Sequence, residues 1–211
     1  MWNLFKSKSQ KSIAQIPNKN YSAEVEDVFS DDPGSSSVSD EPPEFLKGRW
    51  EKFNSHFNDE ELLVYGSPKR SDCLGRAAVY GKKASTAVKE KEFDLAWWIY
   101  HQIKALHFEH ANKFNFAQEH IIGMDSGISK SFGNILRLEG KHQQALVHIL
   151  YWQLGETRPN VKRNVKKIRA YYNRSKISSI TFEDLIEWMD SWNGLADYAA
   201  IQNQVSDWIK S

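Results

Sequence analysis

The most informative segment of the chain is residues 132–159, which read FGNILRLEGKHQQALVHILYWQLGETRP. Apolar residues recur with helical spacing on both sides of a short segment that contains Gly140. Two amphipathic helices joined by a glycine-containing turn are typical of a helical hairpin. A single hairpin cannot cover its own apolar side, so the stretch predicts packing on further helices in a stacked array.

The chain from residue 44 onward repeats this helical period. Apolar stripes with the spacing of one helix face are Leu46, Trp50, Phe53 and Phe57; Leu74, Ala77, Ala78, Gly81, Ala84 and Val88; Phe93, Ala96, Trp97, Tyr100 and Ile103; and Val161, Val165, Ile168 and Tyr172. No segment alternates apolar and polar residues with the period of two that a half-buried strand shows. The sequence therefore predicts an all-α fold.

Residues that commonly cap helices indicate where several of them begin and end. They predict a helix from Ser71 to about Lys91, a short helix from an Asn115–Gln118 capping box to Gly123, and a helix over Phe182–Trp192 that is opened by Thr181 and Asp184.

The beginning of the chain has a different composition. Residues 20–46 contain eight acidic residues and no Lys or Arg, and Ser, Pro and Gly are frequent. Such a segment buries too little apolar surface to offset its loss of conformational entropy. We therefore expect residues 1–43 to form a disordered tail in front of one helical domain over residues 44–211. The aromatic peptide Met1–Lys6 is interpreted as either a frayed terminus or a short docking peptide.

Composition sets modest limits on function. The 211 residues are 40% hydrophobic and carry a net charge of +1, so global charge favours no class of partner. Cys73 is the only cysteine, which excludes an internal disulfide and a CxxC metal site. No apolar run is long enough for a secretory signal or a membrane span, and the expected location is the cytoplasm.

Two segments, residues 77–108 and 126–157, can be aligned on one frame, together with their turns at 90–93 and 139–142. Residues at equivalent positions are Ala84 and Gly133, Ala96 and Ala145, and Tyr100 and Ile149. The pattern resembles tetratricopeptide repeats, which are helix–turn–helix units of about 34 residues.

This resemblance implies a right-handed array of stacked antiparallel hairpins with a concave groove for a peptide. The sequence departs from the repeat pattern at Ser129, where an aromatic residue is usual, and at Lys83, which occupies a usually apolar position. An insertion at about residues 112–125 also lengthens the spacing. Antiparallel packing of unrelated helices would produce the same pattern, so both explanations stay open.

A basic run over residues 158–177 contains eight Lys and Arg and no acidic residue. We interpret it as a basic helix. Its cations would form a solvated face, a docking site for an acidic protein segment or the acidic tail, or a site for nucleic acid or anionic lipid.

Other residue patterns give no signature of catalysis or of a cofactor. His107 and His110 share a helix face but lack an evident third metal ligand. Cys73 stands beside no predictable base, and the glycines are too scattered for a phosphate-binding loop. We therefore expect neither an enzyme, a metal site nor a bound cofactor.

The sequence is best explained as a protein-interaction scaffold or adaptor that binds a peptide or helix on its hairpin surface. The candidate contact residues are Trp98, Asn134, Arg137, Lys141, Lys162, Lys166 and Arg169. Trp98 points away from the apolar face of its own helix, so it is either buried under a flanking helix or a binding hot spot. The alternatives are nucleic-acid binding through the basic helix 158–177, an enzyme of a helical class whose active-site residues are dispersed along the sequence, and self-association through exposed aromatic residues.

Overall fold

The computed structural model describes residues 41–57, 69, 71–156 and 162–211. Residues 1–40, which make up most of the predicted disordered tail (residues 1–43) and include its aromatic peptide, lie outside this part. The described residues form eight helices and no strand, namely α1 (Glu44–Asn54), α2 (Cys73–Lys89), α3 (Phe93–Lys113), α4 (Gln118–Leu138), α5 (His142–Leu154), α6 (Val165–Ser175), α7 (Phe182–Ser191) and α8 (Tyr198–Lys210). The prediction of an all-α fold is confirmed.

Helices that follow one another in the chain pack on one another from α2 to α6. In addition, α1 packs on α3, and α8 packs on α5. Tight turns join α2 to α3 and α4 to α5, and they place Lys91 (φ 62°) and Gly140 (φ 82°) in the left-handed region. That conformation ends a helix and reverses the chain within a few residues, so each of the two pairs forms a hairpin.

The most buried helices are α3 and α5, because neighbours cover them on several sides. All seven residues from Ala145 to Tyr151 in α5 are buried. On α3 the buried apolar residues are Leu95, Ala96, Trp98, Ile99, Ile103, Ala105, Leu106 and Ala111. A helix that is apolar around most of its circumference belongs inside a bundle, and α5 has α4, α6 and α8 as neighbours.

The helices of the second hairpin approach closely at Gly133. A Cβ atom at this position would lie 3.2 Å from the carbonyl oxygen of Ala145 and from the side chain of Ile149. These distances are tighter than most contacts of a Cβ atom, so a side chain at this position would require Ala145 or Ile149 to shift. Gly133, which the sequence analysis aligned with Ala84, therefore suits the close approach of α4 and α5.

Two predicted helix boundaries are wrong. The predicted helix does not end at Gly123, because α4 continues through this residue to Leu138. The predicted capping box is also absent, since Ala117 precedes α4 without a side-chain cap. Asn115 instead adopts a left-handed conformation with φ 49°. An interior glycine costs about 1 kcal/mol relative to alanine, and the packing of α4 against α3 and α5 outweighs this cost.

The N-terminal cap of α2 also differs from the prediction, whereas the N-terminal cap of α7 agrees with it. Asp72, not Ser71, caps α2 by accepting a hydrogen bond of 2.9 Å from the backbone N–H of Gly75. Thr181 and Asp184 form the predicted capping box in front of α7. A reciprocal pair of bonds fixes a helix start more firmly than a single candidate residue, which explains the different outcomes.

Two of the predicted apolar stripes are correct only in part. On α2, the predicted Ala77 and Ala84 are buried, together with Cys73 and Ala87, whereas Leu74 is 44% exposed. On α6, the predicted Ile168 is buried together with Tyr171, whereas Val165 is 43% exposed. The small side chains on the buried face of α2 let this helix approach α3 closely. The face that turns inward is therefore decided by packing against α3 and not by which residues are largest.

None of the described helices is both long enough and apolar enough to cross a bilayer.

Candidate binding surface around Trp152

Trp152 lies near the end of α5 and is half-buried between two helices that flank α5. The Nζ atom of Lys130 on α4 lies over its ring, 4.8 Å from the centroid. The Nζ atom of Lys167 on α6 lies 5.2 Å from the same centroid. Ammonium groups at these distances are attracted by the electron density of an indole, so the ring gathers two cations from different helices.

Two further polar residues extend this cluster along α4. Asn134 and Arg137 follow Lys130 at the i+4 and i+7 positions and therefore lie on the same helix face. The Nη2 atom of Arg137 donates a hydrogen bond of 2.8 Å to Oδ1 of Asn134. This bond orients the guanidinium and leaves most of its N–H groups available. We call Lys130, Asn134, Arg137, Trp152 and Lys167 the Trp152 surface.

The cations of this surface act on one another electrostatically. Burial lowers the pKa of Lys167 below its ordinary value, and the positive charges of Lys130 and Arg137 lower it further. Among the residues that the structure describes, no carboxylate forms an ion pair with any of these three side chains. The Trp152 surface is thus a concentration of positive charge that the described part of the fold does not neutralise.

The structure places the seven candidate contact residues at several different locations. Asn134 and Arg137 belong to the Trp152 surface. Lys141 lies at the turn before α5 and pairs with Glu139 at 3.5 Å. Lys162 is exposed in the segment before α6, and Lys166 is exposed on α6 itself.

The basic run does not form one continuous cationic face. The helix α6 covers only Val165–Ser175, and residues 157–161 lie outside the described part of the chain. Arg163 pairs with Asp190. Arg169 pairs with Glu183 at 3.2 Å and lies over the ring of Phe182 at 3.9 Å. Arg163, just before α6, and Arg169, on α6, therefore both contact α7 and are already engaged within the fold.

Trp98 is buried under a flanking helix. Its side chain is 1% exposed and packs edge-to-face against Trp50 of α1, with 5.0 Å between ring centroids. A buried indole offers no surface to a partner, which corrects the prediction that Trp98 is a contact residue. The apolar stripe predicted for α3 does not include the side of the helix that carries Trp98. That side is covered by α1, which is distant in sequence.

Lys130, Trp152 and Lys167 were not selected from the sequence. Trp152 lies within the quoted hairpin segment 132–159 and was not singled out there, and Lys167 was one cation among eight in the basic run. The spacing of Lys130 to Asn134 and Arg137 was a usable signal, since it extends the same face of α4 by one turn.

A separate buried polar network connects α4, α5 and α8. The Nδ1 atom of His148 lies 3.1 Å from Oγ of Ser129, and its Nε2 atom lies 3.1 Å from the hydroxyl of Tyr198. Burial lowers the pKa of His148 to about 3, so the imidazole is neutral at physiological pH. Ser129 and His148 are both buried, and their contact therefore fixes helix packing instead of presenting a nucleophile to a substrate. Within the described ranges, no three His, Cys, Asp or Glu side chains converge as metal ligands would.

No family model matches the chain, and no curated protein or solved structure is significantly similar to it. The resemblance to tetratricopeptide repeats is therefore supported by no known relative.

Proposed function

We propose that the chain is a cytoplasmic, non-catalytic scaffold or adaptor that binds a peptide or helix of a partner protein on the Trp152 surface. The observation that carries this proposal is the convergence of Lys130 and Lys167 on Trp152 without a neutralising carboxylate from the described residues. Half-buried tryptophan and arginine are the residue types that contribute most binding energy at protein interfaces. Trp152 and Arg137 supply both types on one surface.

Lysine stems often cover a tryptophan on a protein surface, which is the simplest alternative explanation for this arrangement. Two features favour a binding role. Like charges lie close enough to lower the pKa of Lys167, and this repulsion costs free energy that a negatively charged ligand would recover. In addition, the side chains come from α5 and from α4 and α6, which both pack on α5, so the ligand would meet a preorganised surface.

The tetratricopeptide-like architecture belongs to the same proposal. Stacked antiparallel hairpins present neighbouring helices side by side and thereby offer an extended surface to a peptide. The sequence pattern shared by residues 77–108 and 126–157 supports this relationship, as does the close approach at Gly133.

Nucleic-acid binding through residues 158–177 is the second candidate function. The exposed side chains of Lys162, Lys166 and Lys176 favour it. Arg163 and Arg169 weaken it, because their pairing with Asp190 and Glu183 removes two cations that would contact phosphates.

Site-specific photocrosslinking in living cells tests the proposal. Gly127 lies on the exposed face of α4 one turn before Lys130, and its Cβ position has no atom within 4 Å, so a bulky photoreactive residue fits there. Gly81 on α2 has the same open space and serves as the matched control. We expect protein adducts at position 127 that are absent at position 81 and that disappear in the Lys130→Glu/Lys167→Glu variant.

The identity of the adduct separates the candidate functions. A nuclease-sensitive adduct at position 127 would favour nucleic-acid binding, and a crosslinked second copy of the chain would indicate self-association. Equal labelling at positions 127 and 81 would contradict a binding role for the Trp152 surface.

A further inference from the structure

We propose that the Trp152 surface recognises an extended acidic segment of the partner, in which carboxylate side chains occupy alternate positions. This inference rests on the proposed function and specifies the chemistry of the partner. It follows from the charge, spacing and accessibility of the five residues that form the surface.

The charge of the surface requires more than one negative group. Lys130, Arg137 and Lys167 provide three cations, and none of them is paired with a carboxylate of the described residues. One carboxylate would leave the remaining cations uncompensated and still repelling each other. A segment with several carboxylates neutralises the cluster and gains charge-assisted hydrogen bonds from lysine and arginine donors.

The spacing along α4 fits an extended chain. From Lys130 to Arg137 the helix rises about 10 Å, at roughly 1.5 Å per residue. In an extended polypeptide, residues i and i+2 lie about 6.6 Å apart and residues i and i+4 about 13 Å apart, at roughly 3.3 Å per residue. The distance along α4 falls between these two values, and the long side chains of lysine and arginine cover the difference. Side chains at alternate positions of an extended segment point to the same side. Acidic residues at positions i and i+2 would therefore both face the cations of the Trp152 surface.

The position of the ammonium groups argues against recognition of nucleobases. Single-stranded nucleic acid binds proteins by stacking its bases on exposed aromatic rings. Lys130 and Lys167 already lie over the ring of Trp152, so a base would have to displace these cations before it could stack. A carboxylate instead binds the ammonium groups where they are.

The openness of the surface argues against a small molecule. Lys130 and Gly127 are exposed, and space above Gly127 is free of other atoms within 4 Å of a Cβ position. Small ligands usually need a concave site that encloses most of their surface. A peptide can lie along α4 without such enclosure and distribute its contacts over several residues.

Fluorescence anisotropy with the full chain tests this inference. The probes are a labelled peptide in which glutamate alternates with serine, the same peptide with glutamine in place of glutamate, and a labelled single-stranded oligonucleotide of equal charge. We expect the glutamate peptide to bind and the glutamine peptide not to bind. Lys130→Gln and Lys167→Gln should each weaken binding about tenfold, as expected for loss of one close charge contact.

The control variant is Lys89→Gln, which removes the same charge from an exposed position at the end of α2. It should bind the glutamate peptide as tightly as the parent chain. Equal weakening by Lys89→Gln and Lys130→Gln would overturn the inference, since it would show a response to net charge instead of a local site. Tighter binding of the oligonucleotide through Lys130 and Lys167 would overturn it as well. If no peptide binds but protein adducts still form at position 127, the acidic specificity is wrong and the proposed function stands.

Discussion

Replacing Gly155 by alanine should destabilise the protein through one steric contact between α4 and the end of α5. A Cβ atom at position 155 would lie 2.4 Å from both Cβ and Oγ of Ser126 and 3.1 Å from the carbonyl oxygen of Tyr151. Carbon atoms in packed proteins normally approach to about 3.5–4.0 Å. Ser126 is buried within α4, and its Cβ cannot rotate away, so the backbone must move.

The expected magnitude follows from opposing contributions. Overpacking a well-packed site costs about 1–3 kcal/mol. Gly155 has an ordinary φ of −83°, which alanine adopts without strain, and the reduced entropy of the unfolded chain returns about 0.4–1 kcal/mol. Because the two clashes with Ser126 are as short as 2.4 Å, the cost falls in the upper half of that range, about 2–3 kcal/mol. The net loss is therefore about 1–2.6 kcal/mol, and 1 kcal/mol corresponds to a fall in Tm of about 2–4 °C in a chain of this size.

Urea unfolding followed by tryptophan fluorescence measures this loss. Gly127→Ala is the matched control, because its Cβ has open space and alanine stabilises a helix interior by about 1 kcal/mol over glycine. Ser126→Gly removes both clashing atoms, so the double variant Ser126→Gly/Gly155→Ala should show a favourable coupling energy in a double-mutant cycle. If Gly155→Ala is as stable as the parent chain, or if Ser126→Gly gives no coupling, the described contact between α4 and position 155 is refuted.

Two other perturbations test the interior of the fold. Acidification from neutral pH should destabilise the protein, because burial lowers the folded-state pKa of His101 and His148 to about 3. Below the unfolded-state pKa of about 6.5, the unfolded chain binds protons that the folded chain excludes, so stability is full above that value and falls by up to about 1.4 kcal/mol per pH unit for each histidine. Unfolding free energies that stay constant from neutral pH to about pH 5 would contradict this. Trp98→Ala should cost about 3–5 kcal/mol because it empties a core position against Trp50; thermal unfolding checks it, and a variant with parental stability that loses partner binding would instead make Trp98 a contact residue.

Much of the fold could be predicted from the sequence because its signals are local. The hairpin around Gly140 and the capping box at Thr181 each depend on residues within a few positions of one another. The continuation of α4 through Gly123 could not be predicted in the same way. Local propensity treats glycine as a helix end, whereas contacts with α3 and α5 provide the compensation, and these contacts are distant in sequence.

The candidate site was predicted in part for a related reason. Asn134 and Arg137 are neighbours on one helix face, which periodicity alone reveals. The approach of Lys167 to Trp152 depends on how α6 packs against α5, and the exposure of Val165 at the start of α6 was not predicted. Similarly, the pairing of Arg169 with Glu183 depends on the position of α7, so the engagement of this cation within the fold was not evident.

The contacts of His148 have a consequence for how the C-terminal helix is seated. Apolar seams tolerate small slides and rotations, because many nearby registers bury almost the same area. The neutral imidazole of His148, with one hydroxyl at each ring nitrogen, does not tolerate such movements. Moving α8 by a fraction of a turn would leave one buried nitrogen without a hydrogen-bond partner. The hydrogen bond from Tyr198 therefore fixes the position of α8 along α5. Sequence changes elsewhere along α8 should alter how tightly α8 packs on α5 without changing the alignment of the two helices.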